Sequence, residues 1–215
     1  MSTLLILCSS FVIKEPLIFK HKIDLQYGQS RVDQYIAGFN SLSEFRIFDL
    51  FEKNLIVDNT VVTKKNIPSN LLSSIGDKTE FYLFKENKLG LLNKGAGVID
   101  SLSKIKFIIK EYDFIVYFEP KLKIIDDNFF KKFIENPSNI FYKVDNYPQF
   151  KSGYFASTSN DFLELFDYIN LEEMIEKKIN LENLLYEFYI DRNPTLLNGS
   201  TTIRYDSLLR KSFDY

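Results

Sequence analysis

Short, unbroken apolar runs rich in Phe, Tyr, Ile and Val recur along this chain, and stretches of helical period separate them. The runs are residues 4–7, 45–48, 81–84, 114–118 and 140–142, with a further extended piece at 153–156. A strand with one face in water alternates apolar and polar residues, whereas a continuous run belongs to a strand covered on both faces, as in a parallel sheet. Between the runs, Val98, Leu102, Ile105 and Ile109 form one stripe within a helix predicted over 97–110. Phe129, Phe130, Phe133 and Ile134 form another on a helix over 126–134 that opens on two acids and stops before Pro137. Phe162, Leu165, Phe166 and Ile169 make a third stripe, and Leu181, Leu184, Leu185 and Phe188 a fourth. Strand and helix alternating through most of a chain give an α/β layered domain whose ligands sit at the carboxyl ends of the strands. After Arg192 the character changes to turns around one short strand near 202–205, so residues 193–215 read as a C-terminal extension on a single domain.

Composition removes several function classes. Lys plus Arg number 27 against 29 Asp plus Glu, a net charge of −2, so no basic excess exists to neutralise a nucleic-acid backbone. One cysteine, Cys8, and one histidine, His21, allow neither an internal disulfide nor a Cys₂His₂-type zinc site. A Ser-His-Asp triad would have to use His21, and no G-x-S-x-G elbow accompanies it. The apolar opening at 4–8 is too short to span a bilayer, has no basic segment before it and reads as a strand; the expected location is the cytoplasm. No helix is basic and amphipathic enough to argue for membrane association. After the first strand the chain runs Cys8-Ser9-Ser10-Phe11-Val12, without the G-x-G-x-x-G turn, and no P-loop occurs anywhere. Ser9 and Ser10 are then either a plain turn or a hydroxyl lip for a nucleotide base.

The chemistry concentrates between residues 93 and 121. Asn93-Lys94-Gly95-Ala96-Gly97 is a small-residue loop at a helix start, either a plain helix entry or a phosphate-facing one, where free N–H groups favour an anion and Lys94 adds a positive charge. Downstream, the buried strand of Tyr112-Asp113-Phe114-Ile115-Val116-Tyr117-Phe118 ends in Glu119-Pro120-Lys121; Pro120 turns the chain out of the sheet. Glu119 is either a ligand group at the mouth of the sheet or an exposed strand-end acid. Gly153 marks a place where the backbone needs room, compatible with a close ligand. Glu182 is either the solvated flank of a core helix or a general base for a hydroxyl. Asp49 and Glu52, near the end of the second strand as read here, are both candidates to hold a base or ribose. An aromatic group at Phe141, Tyr142 and Tyr147 is expected to be exposed, for stacking or for a dimer contact.

The order of these segments resembles the GT-A-type glycosyltransferases, in particular those of bacterial surface-polysaccharide assembly. The likeness rests on the Asn93-Lys94-Gly95 loop before a helix and on the "YD-apolar-apolar-YFEP" strand at 112–120. It rests also on Phe150-Lys151-Ser152-Gly153-Tyr154-Phe155, on the segment 178–186 with Glu182, and on a first βα unit containing Arg31 and Tyr35. It covers most of residues 1–190. It implies a three-layer α/β/α domain over residues 1–192 with a mostly parallel central sheet, a nucleotide-sugar donor and a hydroxyl or glycan acceptor. By the resemblance, Ser9, Ser10, Asp49, Glu52, Lys94, Gly95, Lys121 and Gly153 are donor-binding candidates, and Glu119 and Glu182 the catalytic ones. Glu119 stands where the family's Asp-x-Asp motif holds Mn²⁺ or Mg²⁺. Here Lys121 replaces the second carboxylate, which leaves a poor cation site and makes metal-independent or weakly metal-dependent transfer the expectation. The alternative is a degenerate relative that binds a glycan or a partner. A different α/β nucleotide-using enzyme, such as a methyltransferase, lacks its glycine-rich first loop.

Overall fold

The computed structural model describes residues 1–12, 25–199 and 202–204. His21 and Tyr205 lie outside the described residues. Nine strands are present among them: β1 Thr3–Ser9, β2 Lys53–Asp58, β3 Thr79–Leu83, β4 Phe114–Phe118, β5 Leu122–Ile124, β6 Ile140–Tyr142, β7 Tyr154–Thr158, β8 Thr195–Leu197 and β9 Thr202–Arg204. The helices are α1 Leu25–Glu44, α2 Ser69–Leu72, α3 Lys88–Leu92, α4 Lys94–Ser103, α5 Lys106–Ile109, α6 Asn128–Glu135, α7 Ser159–Tyr168, α8 Leu171–Glu176 and α9 Leu181–Tyr189.

Seven strands form one sheet in the order β3-β2-β1-β4-β7-β6-β8. β3, β2, β1 and β4 are parallel, β7 runs against both its neighbours, and β8 joins β6 in parallel. The chain leaves β1 toward β2 and β3, then returns to lay β4 on the other side of β1. That reversal of strand order opens a crevice at the carboxyl ends of β1 and β4. Side chains alternate across the sheet as the continuous runs require. Leu5, Leu7, Val116 and Phe118 enter a core with Phe39 of α1 and Phe130 of α6. Leu4, Ile6, Ile115 and Tyr117 enter a second core with Leu102 of α4, Phe162 of α7 and Leu185 of α9. This is a three-layer α/β/α architecture with a mostly parallel central sheet. No helix among the described residues is long and apolar enough to cross a membrane.

Three expectations are corrected. Residues 45–48 are not a strand: Arg46 adopts a left-handed φ of 55°, and a single 3₁₀ turn, Ile47–Asp49, follows. Ile47 and Phe48 are buried by that turn, and the buried Asn54 of β2 donates its Nδ2 hydrogen to the Phe48 carbonyl at 2.9 Å. The second strand therefore lies at Lys53–Asp58. The helix expected over 97–110 is two helices, because Ile105 leaves helical geometry at φ −109°, ψ 16°. Phe141 and Tyr142 are buried, and only Tyr147 of that aromatic group is exposed.

Candidate functional site

The crevice at the carboxyl ends of β1 and β4 is a cleft of about 760 Å³. Glu119 lies at its centre because β4 ends one residue earlier. The Glu119 N–H donates to the Gly153 carbonyl at 2.8 Å, and the Leu122 N–H donates back to the Glu119 carbonyl at 3.0 Å. Pro120 carries the chain out of the sheet between these two bonds. The turn rests directly on α1: a Cβ at Gly38 would lie 1.8 Å from the Pro120 carbonyl oxygen, so only glycine permits this approach.

Two lysines converge on Glu119. Lys121 Nζ is 2.6 Å from Oε2, and Lys94 Nζ is 3.2 Å from Oε1. The Glu119 side chain is 9% exposed, Lys121 17% and Lys94 61%, so the acid and one base are enclosed while the other base faces the cleft. Burial alone would push the Glu119 carboxyl up, but Lys121 and then Lys94 more than reverse it and hold it at about 2. Glu119 pulls the Lys94 ammonium upward; burial and the adjacent Lys121 charge outweigh that pull, and Lys94 is displaced below its ordinary value.

Lys94 opens α4. Asn93 caps that helix by accepting from the Ala96 N–H at 3.1 Å, which leaves the N–H groups of Lys94 and Gly95, both cleft residues, without an intrahelical acceptor. The Asn93 amide also donates to the carbonyls of Met174 and Ile179, each at 3.1 Å, and ties α4 to α8 and to the loop before α9. Gly95 is needed for packing as well: a Cβ there would meet Met174 Cε at 2.5 Å and Leu181 Cβ at 2.8 Å.

The lip after β1 is built on Asp58, the last residue of β2. Its fully buried carboxylate accepts from Ser9 Oγ at 2.8 Å and from the Phe11 N–H at 2.8 Å. It accepts also from Thr60 N–H and Oγ1 at 2.7 and 2.6 Å. Ser10 donates its N–H to the Tyr35 hydroxyl at 2.9 Å and its Oγ hydrogen to Asn59 Oδ1 at 2.8 Å, while Arg31 Nε donates to the Ser10 carbonyl at 2.8 Å. Asp58 and Asn59 therefore stand where Asp49 and Glu52 were expected. Asp49 pairs with Lys78 and Arg46, and the Glu52 N–H faces Thr3 at the opening of β1; both acids lie at the amino ends of the strands, away from the cleft. They were misplaced because β2 was read eight residues too early. Cys8, on the cleft floor, is pushed up to about 12, chiefly by burial and then by Glu119 and Asp58, and stays a protonated thiol.

Opposite the lip, Glu182 in the first turn of α9 accepts from Ser152 Oγ at 2.6 Å, and its carbonyl accepts the Phe150 N–H at 3.1 Å. Glu182 and Ser152 form part of the cleft wall, as does Lys178, which has a left-handed φ of 54° and no ionic partner among the described residues. A second chamber of about 250 Å³ adjoins the cleft, and Lys94, Glu119, Ser152 and Glu182 line both. Gly153 belongs to this smaller chamber, where a Cβ would meet Leu122 Cδ1 at 2.8 Å. Arg31, Lys94, Lys121 and Lys178 against Glu119 and Glu182 leave the large cleft two positive charges in excess. The residues do not fit a divalent cation. Both Glu119 oxygens already face ammonium groups, and among the described residues no three His, Cys, Asp or Glu side chains cluster as ligands.

No protein-family model matches the chain, and no curated protein matches it in sequence. A solved structure from Desulfovibrio desulfuricans G20, provisionally assigned as a nucleotide-diphospho-sugar transferase, matches over 99% of this chain and 88% of its own, with a TM-score of 0.55 at 13% identity. The chain has a GT-A-like fold. Glu119 directly follows β4, one of the two strands that flank the switch point.

Proposed function

We propose that the chain is a glycosyltransferase that moves a sugar, a hexose by its resemblance, from a nucleoside-diphosphate donor to a hydroxyl of a growing glycan such as a surface polysaccharide, in the cytoplasm. The observation that carries this reading is the group of Lys94, Lys121 and the α4 N-terminus around one cleft whose lining is positive in excess. Transfer builds negative charge on the departing diphosphate, and fixed cations and N–H groups aimed there lower that barrier. Lys121 and Lys94 take the role a metal would otherwise fill. Glu119 holds the two ammonium groups close together. Glu182, with one oxygen fixed by Ser152, takes the acceptor proton. The Ser9-Ser10 lip, with Asn59 and Arg31, takes the base and ribose end. Residues 1–192 form the nucleotide-sugar unit and 193–215 an extension on it, of which β8 joins the central sheet beside β6 and β9 pairs with β5.

The test is thermal shift and slow donor hydrolysis over UDP-, GDP-, CMP- and TDP-sugars, with Mn²⁺ and with a chelator. One nucleotide stabilises the protein in both conditions, and Lys121→Ala loses the shift. No shift with any donor sinks the reading. A non-catalytic glycan-binding subunit is the second reading, favoured by the missing second carboxylate beside Glu119; it predicts glycan binding without donor hydrolysis.

A further inference from the structure

We propose that the outer edge of β3 is the interface of a homodimer, in which β3 of a second copy pairs with it in antiparallel register about a two-fold axis at Tyr82. The inference is independent of the donor reading. β3 ends the seven-stranded sheet, and no strand among the described residues pairs with its outer side. The direction of its free groups follows from its inner bonds. The Phe84 N–H donates to the Asp58 carbonyl at 3.0 Å and the Glu86 N–H to the Asn59 carbonyl at 3.2 Å, so the even-numbered residues face β2 and the odd-numbered ones face outward. The outward Thr79 N–H is taken by the Gly76 carbonyl at 3.0 Å. The N–H and C=O groups of Phe81 and Leu83 are the open part of the edge. Sheets blunt such an edge with proline, a bulge or charges within the strand. β3 reads Thr79-Glu80-Phe81-Tyr82-Leu83, and its one charge, Glu80, is paired with Lys53 at 2.9 Å. Phe81 and Leu83 lean half-buried on one core, and Tyr82 and Phe84 on the other. Beside Tyr82, at 6.1 Å between ring centroids, stands Phe107, which is 59% exposed.

A second copy is the occupant this edge matches, because bond direction and charge together select one register. Directly opposed residues of an antiparallel pair either both face the partner or both face away, so odd numbers must lie opposite odd. Setting Tyr82 opposite Tyr82 places Phe81 opposite Leu83 twice, and every open N–H of the two edges then finds an open carbonyl. It also places Lys78 opposite Glu86 at each end, two exposed residues of opposite charge. Moving the axis to Leu83 sets Glu80 opposite Glu86, which is repulsive. Moving it to Phe81 sets both Leu83 carbonyls opposite Thr79 N–H groups already spent on Gly76. In the selected register the two Tyr82 rings meet on one face of the joined sheet, each beside its own Phe107. Phe81 meets Leu83 on the other face, so apolar surface is covered on both.

The test is sedimentation of the full chain up to about 100 µM, where a species of twice the 25.3 kDa chain mass is expected. Lys78→Glu, and separately Glu86→Lys, sets like charges opposite each other twice and weakens the dimer by about tenfold or more. The double variant restores opposite charges and returns the affinity to within about threefold of the parent, a recovery that a merely structural role for either residue would not give. The second readout is a crosslink. Tyr82→Cys places two thiols in a non-hydrogen-bonded pair across the axis and closes an intermolecular disulfide on mild oxidation, whereas Glu80→Cys, opposite Phe84, does not. Cys8 is buried and takes no part. A chain that stays monomeric at the highest concentration overturns the proposal. So does a dimer that ignores the single reversals, is not recovered by the double variant or fails to crosslink at Tyr82. Oligomers that lengthen with concentration, β3 of one copy on β8 of the next, overturn it as well. Should a charge variant not fold, the Tyr82→Cys and Glu80→Cys comparison decides by itself.

Discussion

Replacing Glu119 with glutamine keeps the shape of the side chain and removes the charge between two lysines. The carboxyl titrates at about 2 in the fold and at its ordinary 4.5 once unfolded. A group depressed in this way contributes stability that is complete above the unfolded value and disappears as pH falls toward the folded one. The difference is worth about 3 kcal/mol at neutral pH. Lys94, 61% exposed, can turn to water when its partner is lost, whereas Lys121 at 17% is left enclosed with no counter-charge. Glu119→Gln is therefore expected to melt roughly 6–12 °C below the parent near pH 7 for a chain of this size. The gap narrows below pH 4.5 and closes as pH approaches 2. Paired thermal unfolding by circular dichroism across that range reads it, because the other carboxylates titrate alike in both proteins and cancel in the difference. A gap of equal size near pH 7 and near pH 3 would refute the argument, as would no gap near pH 7.

Lys121→Met removes the better enclosed of the two cations, and calorimetric affinity for the preferred nucleoside diphosphate should fall roughly 10- to 100-fold, the worth of one charge-assisted hydrogen bond; unchanged affinity places the diphosphate elsewhere. Gly38→Ala forces a methyl group to 1.8 Å from the Pro120 carbonyl, backbone against backbone, so urea unfolding should show a loss of at least about 2 kcal/mol and the Glu119 turn should shift. Asn93→Ala removes the α4 cap and the two bonds to α8 and to the loop before α9, a stability loss of about 1–2 kcal/mol for the cap alone, and Asn93→Asp should recover the cap but not the two donated bonds.

Much of the sheet was legible because buried parallel strands announce themselves as unbroken apolar runs. β4 and β6 fall on the expected residues, and β1 and β3 within two residues of them. β2 was not legible. It opens on Lys53-Asn54 and closes on Asp58, and only Leu55, Ile56 and Val57 between them read as strand, while the richer run at 45–48 is buried by a turn. That one displacement cost the site its lip, since Asp58 and Asn59 sit at the carboxyl end of the true strand. Glu119 and Lys94 were legible because each has a local mark, a proline after a strand and a glycine loop before a helix. Ser152 as the partner of Glu182 had no such mark. Their hydrogen bond joins residues 30 apart in sequence, and only the packing of α9 on the loop before β7 brings them together.

Charge shows the same division between local and long-range information. The whole chain carries −2, which disfavours a partner as long and as highly charged as a nucleic acid. A diphosphate needs only a few cations in one place, and the cleft gathers Arg31, Lys94, Lys121 and Lys178 from four separate segments against two acids. Two ammonium groups this close repel each other unless something fixes them. A carboxylate enclosed between them, with both oxygens engaged, does so and keeps its charge even well below neutral pH. Lys121 therefore does more than balance a charge beside Glu119. It turns an acid that would attract a cation into one that holds cations in place, and the test is whether Glu119→Gln weakens nucleotide binding even though it makes the cleft more positive. Tighter binding in that variant would mean the lysines need no organiser, and Glu119 would then be only a counter-charge.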